Sequence, residues 1–260
     1  MPGPPKLPDL WSGLTILALL FVVQLFIAAT LYDMKGGFAP GDPYAVAIIT
    51  LLANGLVIPL VVNYLGLGYR ELFHAGSNSV MSMLVVLGPP ILLVVLGANW
   101  WFNHLSATFI PPEVAREEAQ MLQRLVGGGL VSVISVGLLA PIFEEIIFRG
   151  ILLRGFLQHY GPRRGIILCA LLFAGFHLTA SQFPFAFVFG CFVGWLYWRT
   201  RSLWPCIVAH AGYNLIFFLV YYTAQRAPYD GITGSDIVSF AVSAIGFALL
   251  WQLLHGRRGG

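Results

Sequence analysis

Three short segments, set in long apolar runs, hold most of the side chains in this 260-residue sequence that could do chemistry. They are Glu144-Glu145-Ile146-Ile147-Phe148-Arg149, Phe173-Ala174-Gly175-Phe176-His177 and His210-Ala211-Gly212-Tyr213-Asn214. Ionisable groups at membrane depth are costly and mark functional sites. Adjacent glutamates on a helix point about 100° apart, so Glu144 and Glu145 serve different ends. Glu145 and Arg149 stand four positions apart, the spacing at which side chains meet on one face, and a charge pair there keeps Glu145 ionised. Glu144 is then the free carboxylate, about 7 Å deeper than Arg149 by helix rise, and a partly desolvated glutamate suits a general base. His177 shares a face with Phe173. His210 and Asn214, again four apart, can converge on one point, where imidazole and carboxamide both donate to a developing oxyanion. Each segment has a plainer alternative: an ion-paired helix end, a hydrogen-bonded core histidine, a polar pair gluing two helices. Their combination on three helices favours a centre that activates water.

The elements that must position these groups follow from composition. The chain is 58% hydrophobic and 10% charged, against about 25% charged in soluble domains, which points to a polytopic membrane protein. A hydrocarbon core about 30 Å thick needs roughly 20 apolar residues per helix. Eight stretches qualify, at about 12–32, 44–65, 79–102, 128–148, 165–180, 183–198, 203–223 and 237–255. The fifth and sixth are short, divided only by Ser181-Gln182, and are expected to be tilted or partly spanning. The fold expected is an all-α transmembrane bundle of about eight spans with both termini cytoplasmic.

Lys and Arg set orientation. This arrangement puts Lys6, Arg70, Arg149, Arg154, Arg163, Arg164, Arg199, Arg201, Arg257 and Arg258 inside, and Lys35, Arg116, Arg124 and Arg226 outside, ten of the 14 against four. Asp33, Asp42, Glu113, Glu117, Glu118, Asp230 and Asp236 fall outside. The net charge of +3 therefore reflects membrane edges and anionic lipid rather than nucleic acid. Cys169, Cys191 and Cys206 lie inside spans as small apolar residues, an odd number that forms no disulfide framework. The first apolar stretch is expected to stay as a helix rather than be cleaved. The sequence divides into a scaffold with an amphipathic outer segment (1–127), a catalytic core (128–223), and a last helix with a basic tail (224–260). In 111–124, charges alternate with Val114, Met121 and Leu122, as in a surface helix; a solvated linker is the alternative. His74, His104, His159 and His255 sit near span ends, and Tyr213 has no assigned role. Depths counted from the nearest inner Arg put Glu144, His210 and Asn214 in the cytoplasmic half and His177 nearer the middle. A plasma-membrane protein whose site opens towards the cytoplasmic half is expected.

In order along the chain, the three motifs resemble those of the CAAX proteases and bacteriocin-processing enzymes, also described as abortive-infection proteins. The pattern of that family is Glu-Glu-x-x-x-Arg, Phe-x-x-x-His and His-x-x-x-Asn on successive transmembrane helices. All three are met, by Glu144, Glu145 and Arg149, by Phe173 and His177, and by His210 and Asn214, with the common ending Phe148-Arg149-Gly150. The resemblance covers roughly residues 128–223. It implies an eight-helix intramembrane endopeptidase in which Glu144 and His177 activate water, His210 and Asn214 support the oxyanion, and Glu145 and Arg149 order the site. The substrate implied is a peptide or lipidated protein in membrane lipid; one branch of the family removes the last three residues of prenylated CAAX proteins.

Two points stay open at this stage. Glu144, His177 and His210 are a conceivable zinc set with one open position, although the His-Glu-x-x-His helix of zincins is missing; a metal-free scheme, with no cofactor required, is preferred because Asn214 is a poor zinc ligand. A non-enzymatic immunity or scaffold protein retaining the motifs is the first rival. A transporter or proton relay is the second, disfavoured by the lack of an inverted repeat.

Overall fold

The computed structural model describes residues 7–34, 37–39, 41–223 and 234–255. Lys6, Lys35, Arg226, Asp230, Arg257 and Arg258 lie outside the described residues, as does much of the 224–260 segment.

Apolar runs without interior charge become helices because only a helix satisfies its own backbone in lipid. The chain is all-α: α1 Leu10–Asp33, α2 Pro43–Leu65, α3 Tyr69–Phe73, α4 Val80–Phe109, α5 Pro112–Val126, then a continuous run from Leu130, and α9 Phe183–Thr200, α10 Trp204–Thr223 and α11 Gly234–His255. The run comprises α6 Leu130–Ile134, α7 Ala140–Glu145 and α8 Arg154–Phe176, joined by π-helical turns at Ser135–Leu139 and Ile146–Leu153. At Gly161 (φ 72°, ψ 176°) it leaves helical geometry and folds back. Glycine takes that positive φ without a Cβ clash, and Pro162 restarts the helix where its missing N–H costs nothing.

A helix thus covers each of the eight predicted stretches. Among the described residues five runs are long and apolar enough to cross a membrane: Leu10–Asp33, Pro43–Leu65, Val80–Ala98, Leu130–Phe176 and Ile237–His255. Apolar side chains point outward along them, Phe26 at 74% exposure and Val22 at 60%, as lipid-facing surfaces require. The returning arm, residues 162–176, is only about 22 Å long and α9 about 27 Å, by helix rise. Both fall short of a hydrocarbon core of about 30 Å, which explains the short fifth and sixth stretches.

Two rims result. One joins the start of α1, α3, the Gly161 bend and the α9–α10 connection: the Tyr160 hydroxyl accepts from Leu10 N–H at 2.9 Å, Arg154 lies 3.7 Å from Glu71, and Ala75 N–H donates to Arg201 O at 2.9 Å. Arg70, Arg163 and Arg164 are exposed there, so this rim is basic. The other rim joins α5, the turn at 177–182 and the end of α10. Glu118 accepts from Ala180 N–H at 2.7 Å and Ser181 N–H at 2.8 Å, and Tyr222 donates to Val126 O at 2.7 Å. The amphipathic segment is indeed a helix, α5, and not a linker.

Candidate active site

The two glutamates diverge as their spacing requires. Glu145 is fully buried and accepts on one oxygen, Oε1, from Arg149 Nη1 at 2.9 Å and from His210 Nδ1 at 2.8 Å. Arg149 is also fully buried. Its Nη2 donates to Gly190 O at 3.2 Å, and its guanidinium lies 4.5 Å from the centre of the Phe173 ring. The ion pair sits inside the helix bundle, where planar Arg can bind carboxylate, carbonyl and ring together. Phe173 thereby ties the second motif to the first, packing edge-on against His177 at 4.7 Å and His210 at 5.7 Å between centres.

Glu144 faces the other way. Its side chain is 28% exposed and lies 3.8 Å from His210 Nε2, yet its buried Oε2 has no hydrogen-bond partner among the described residues. A carboxylate oxygen without a partner is costly unless it serves a ligand. His177 terminates α8, with Nδ1 2.9 Å from Phe173 O. A carbonyl only accepts, so the neutral ring carries its proton on Nδ1 and leaves Nε2 as an acceptor. Leu178 follows at φ 54°, a conformation that strains a branched side chain and ends the helix directly behind His177.

Asn214 is held by a feature the sequence pattern hides. In the first π-turn Ala140 N–H bonds Ser135 O; the next bond in that register would reach Val136 O from residue 141, which is proline and has no N–H. Asn214 Nδ2 donates to that vacant Val136 O at 2.7 Å. One amide N–H is spent on the backbone and the second stays available. π-turns gather at functional sites, and here one creates the acceptor that docks the third motif.

Glu144, His177, His210 and Asn214 together line one recess of about 220 Å³ with Phe173, Val136 and Ala140. Its remaining walls include Leu125 and Val126 of α5, Gln182, Phe185, Phe189 and Tyr213. All but Tyr213, the unassigned tyrosine within the third segment, lay outside the sequence motifs; Tyr213 stacks on Phe185 at 4.7 Å. His177 joins the others because the short returning arm ends at the level of the recess. Leu125, Val126 and Gln182 belong to the rim opposite the basic one. A larger groove of about 500 Å³ on the basic rim, with Asn78, Ser79 and Arg199 in its wall, gathers no comparable set.

Zinc finds no ligand set as the side chains stand: among the described residues no three His, Cys, Asp or Glu converge to hold an ion. Both histidines commit Nδ1, and Asn214 is bound to backbone.

Residues 127–216 match the family described as type II CAAX prenyl endopeptidase Rce1-like. The chain is 30% identical over 146 residues to CAAX prenyl protease 2 of Caenorhabditis elegans, covering 47% of this chain and 52% of that protein. It therefore spans about half the length of the curated relative it matches. No solved structure matches the chain.

Proposed function

We propose, from the match of residues 127–216 to the Rce1-like type II CAAX prenyl endopeptidases and the partial similarity to CAAX prenyl protease 2, that the chain is a CAAX-family intramembrane endopeptidase that hydrolyses a peptide bond with water activated by Glu144 and His177. The observation that carries this reading is the unpartnered Glu144 oxygen in the recess, beside His210 Nε2 at 3.8 Å. A water held by Glu144 and by the acceptor Nε2 of His177 gives its proton to Glu144 as it adds to the carbonyl. The oxyanion takes the free N–H of Asn214, and that of His210 Nε2 when the ring is protonated; Glu145 keeps the ring's Nδ1–H and so its orientation. Glu144 then returns the proton to the leaving amine. Water is consumed and an acid and an amine are produced. Arg149 pairs with Glu145 at 2.9 Å and fixes its position.

The scheme runs through this chain's own residues, without zinc. Activity is expected to survive exhaustive chelation; zinc near one per chain, lost together with activity in His177→Ala, would overturn it. The substrate proposed is a membrane-associated peptide or lipidated protein, CAAX-type C-terminal processing included. Residues 128–223 form the working unit in this reading, with 1–127 as scaffold and 224–260 as the last helix and tail.

The test compares peptide termini in membranes of cells carrying the wild type or Glu144→Ala at matched expression. Termini present only with the wild type support the endopeptidase. Identical profiles, with the variant folded and inserted, overturn it in favour of an immunity or scaffold role.

A further inference from the structure

We infer that the groove between α4, α9 and α11 on the basic rim binds an anionic phospholipid, with the phosphate at Arg199 and an acyl chain laid along α4. The inference stands apart from the endopeptidase reading, because the groove shares no lining residue with the recess.

The shape comes from two helices that part. α4 and α11 pack closely where a Cβ on Gly246 would lie 2.7 Å from Pro90 O and from Leu93 Cβ. Towards the basic rim, Leu87, Val86, Met83 and Ser82 continue from Pro90 at the spacings of three and four that keep one helix face. On α11, Leu253 and Leu254 stand about two turns beyond Gly246 on its face. The faces that touch at Gly246 therefore separate further on, and α9 spans the gap with Arg199 and Thr200. The space between them is about 500 Å³, within the range of about 300–1,000 Å³ that suits a small ligand.

The lining changes character along α4. Asn78, Ser79 and Ser82 are exposed at the rim, whereas Met83 and Leu87 form a floor at 8% and 5% exposure. Ser79 and Val86 stand about 10 Å apart by helix rise, so a ligand meets hydroxyls first and hydrocarbon below. Aromatic rings mark the level of the polar end. The Arg199 guanidinium lies 5.4 Å from the centre of the Trp198 ring, and Trp204 and Trp251, at 39% and 49% exposure, stand near the same rim. Tryptophan gathers at the height of lipid headgroups.

Charge selects among lipids. Arg70 and Arg201 are exposed on this rim, and no acid lines the groove among the described residues. Basic pockets between transmembrane helices take anionic headgroups. A zwitterionic headgroup would bring an ammonium to a wall with no acid to receive it. A free phosphate would leave the apolar stripe of α4 unused.

Native mass spectrometry of the full-length protein in detergent tests this with three probes: phosphatidylglycerol, phosphatidylcholine of identical chains, and glycerol phosphate. The wild type should retain one phosphatidylglycerol in preference to phosphatidylcholine. Arg199→Gln should weaken that retention about fivefold, the effect of one cation near a lipid surface. Arg163→Gln, at the exposed bend, should retain the lipid as the wild type does. Ser82→Trp keeps every charge but fills the groove, and should expel the lipid even if Arg199→Gln fails to fold. Equal retention of both lipids by the wild type overturns the inference, as does retention unchanged in Arg199→Gln and Ser82→Trp. An equal loss in Arg163→Gln would reduce the effect to the charge of the rim and overturn the site. Glycerol phosphate held as tightly as the lipid would make it a phosphate site, and a dimer broken by Ser82→Trp would make the occupant a second copy of the chain; either result overturns the lipid.

Discussion

Glu144 and Glu145 are neighbours in sequence and opposites in environment, and substitution should separate them. Glu144→Gln removes no protein hydrogen bond, because Oε2 has none among the described residues. Melting in lipid nanodiscs should stay unchanged while kcat falls on the order of 10²–10⁴-fold, the usual scale for a lost general base. Glu145→Ala instead strands a fully buried Arg149, which costs about 3–5 kcal/mol when one partner of a buried pair is removed; the melting temperature should drop sharply. Asn214→Ala should do both. It leaves Val136 O without its donor, at about 1–3 kcal/mol, and it removes an oxyanion donor, at about 10²–10³ in kcat. A variant that loses stability but keeps kcat would reduce Asn214 to a positioning residue. The ion pair and the His210–Asn214 spacing were legible because helical periodicity alone brings such residues together. The bond to Val136 was not, since it depends on a π-turn and on Pro141 standing one register step further on.

At the scale of elements, α5 and the 177–182 turn act together. Glu118 holds two backbone N–H groups of the turn that follows His177. Partial burial raises the Glu118 pKa, but the hydrogen bonds from the Ser181 hydroxyl and the two amides outweigh it, and the carboxyl titrates below its usual 4.5. A carboxylate whose folded pKa is lowered contributes stability that is present above the unfolded value and lost as pH falls through the folded one. The turn should therefore loosen only below about the unperturbed carboxylate range. Glu118→Ala should loosen it at neutral pH, seen as faster hydrogen exchange across 177–182 and a raised KM. Glu118→Gln, which keeps one acceptor oxygen, should recover part of both. Unchanged exchange in Glu118→Ala would show that the turn holds itself. The amphipathic pattern of α5 was readable from sequence; that its carboxylate reaches a turn 62 residues later is a tertiary contact no local pattern encodes.

For the whole molecule, the helices were legible because apolar length is nearly sufficient to specify a span, whereas the π-turns that shape the helix carrying Glu144 and Glu145 were not, since they leave hydropathy unchanged. Pairing was equally hidden, and α11 shows why. Its Gly246 packs where a Cβ would lie 2.7 Å from both Leu93 Cβ and Pro90 O, and Ser243 donates to Val94 O at 3.2 Å. Close approach through small residues and a hydroxyl is how helices associate in lipid, where no hydrophobic drive distinguishes partners. Since α4 also meets α10 around Gly212, at Leu92 and Val95, and α11 packs through Phe247 and Trp251 on Trp195 of α9, displacement of α11 reaches the helix that carries His210 and Asn214 through α4 and α9. Gly246→Leu should accordingly destabilise by about 1–3 kcal/mol through overpacking, with kcat reduced far less than in Glu144→Gln. Melting in nanodiscs and a single-turnover rate at a temperature where the variant stays folded separate the two effects. A kcat loss as deep as that of Glu144→Gln would mean that α4 or α9 passes strain from α11 to α10, and that the last helix helps to set the catalytic geometry.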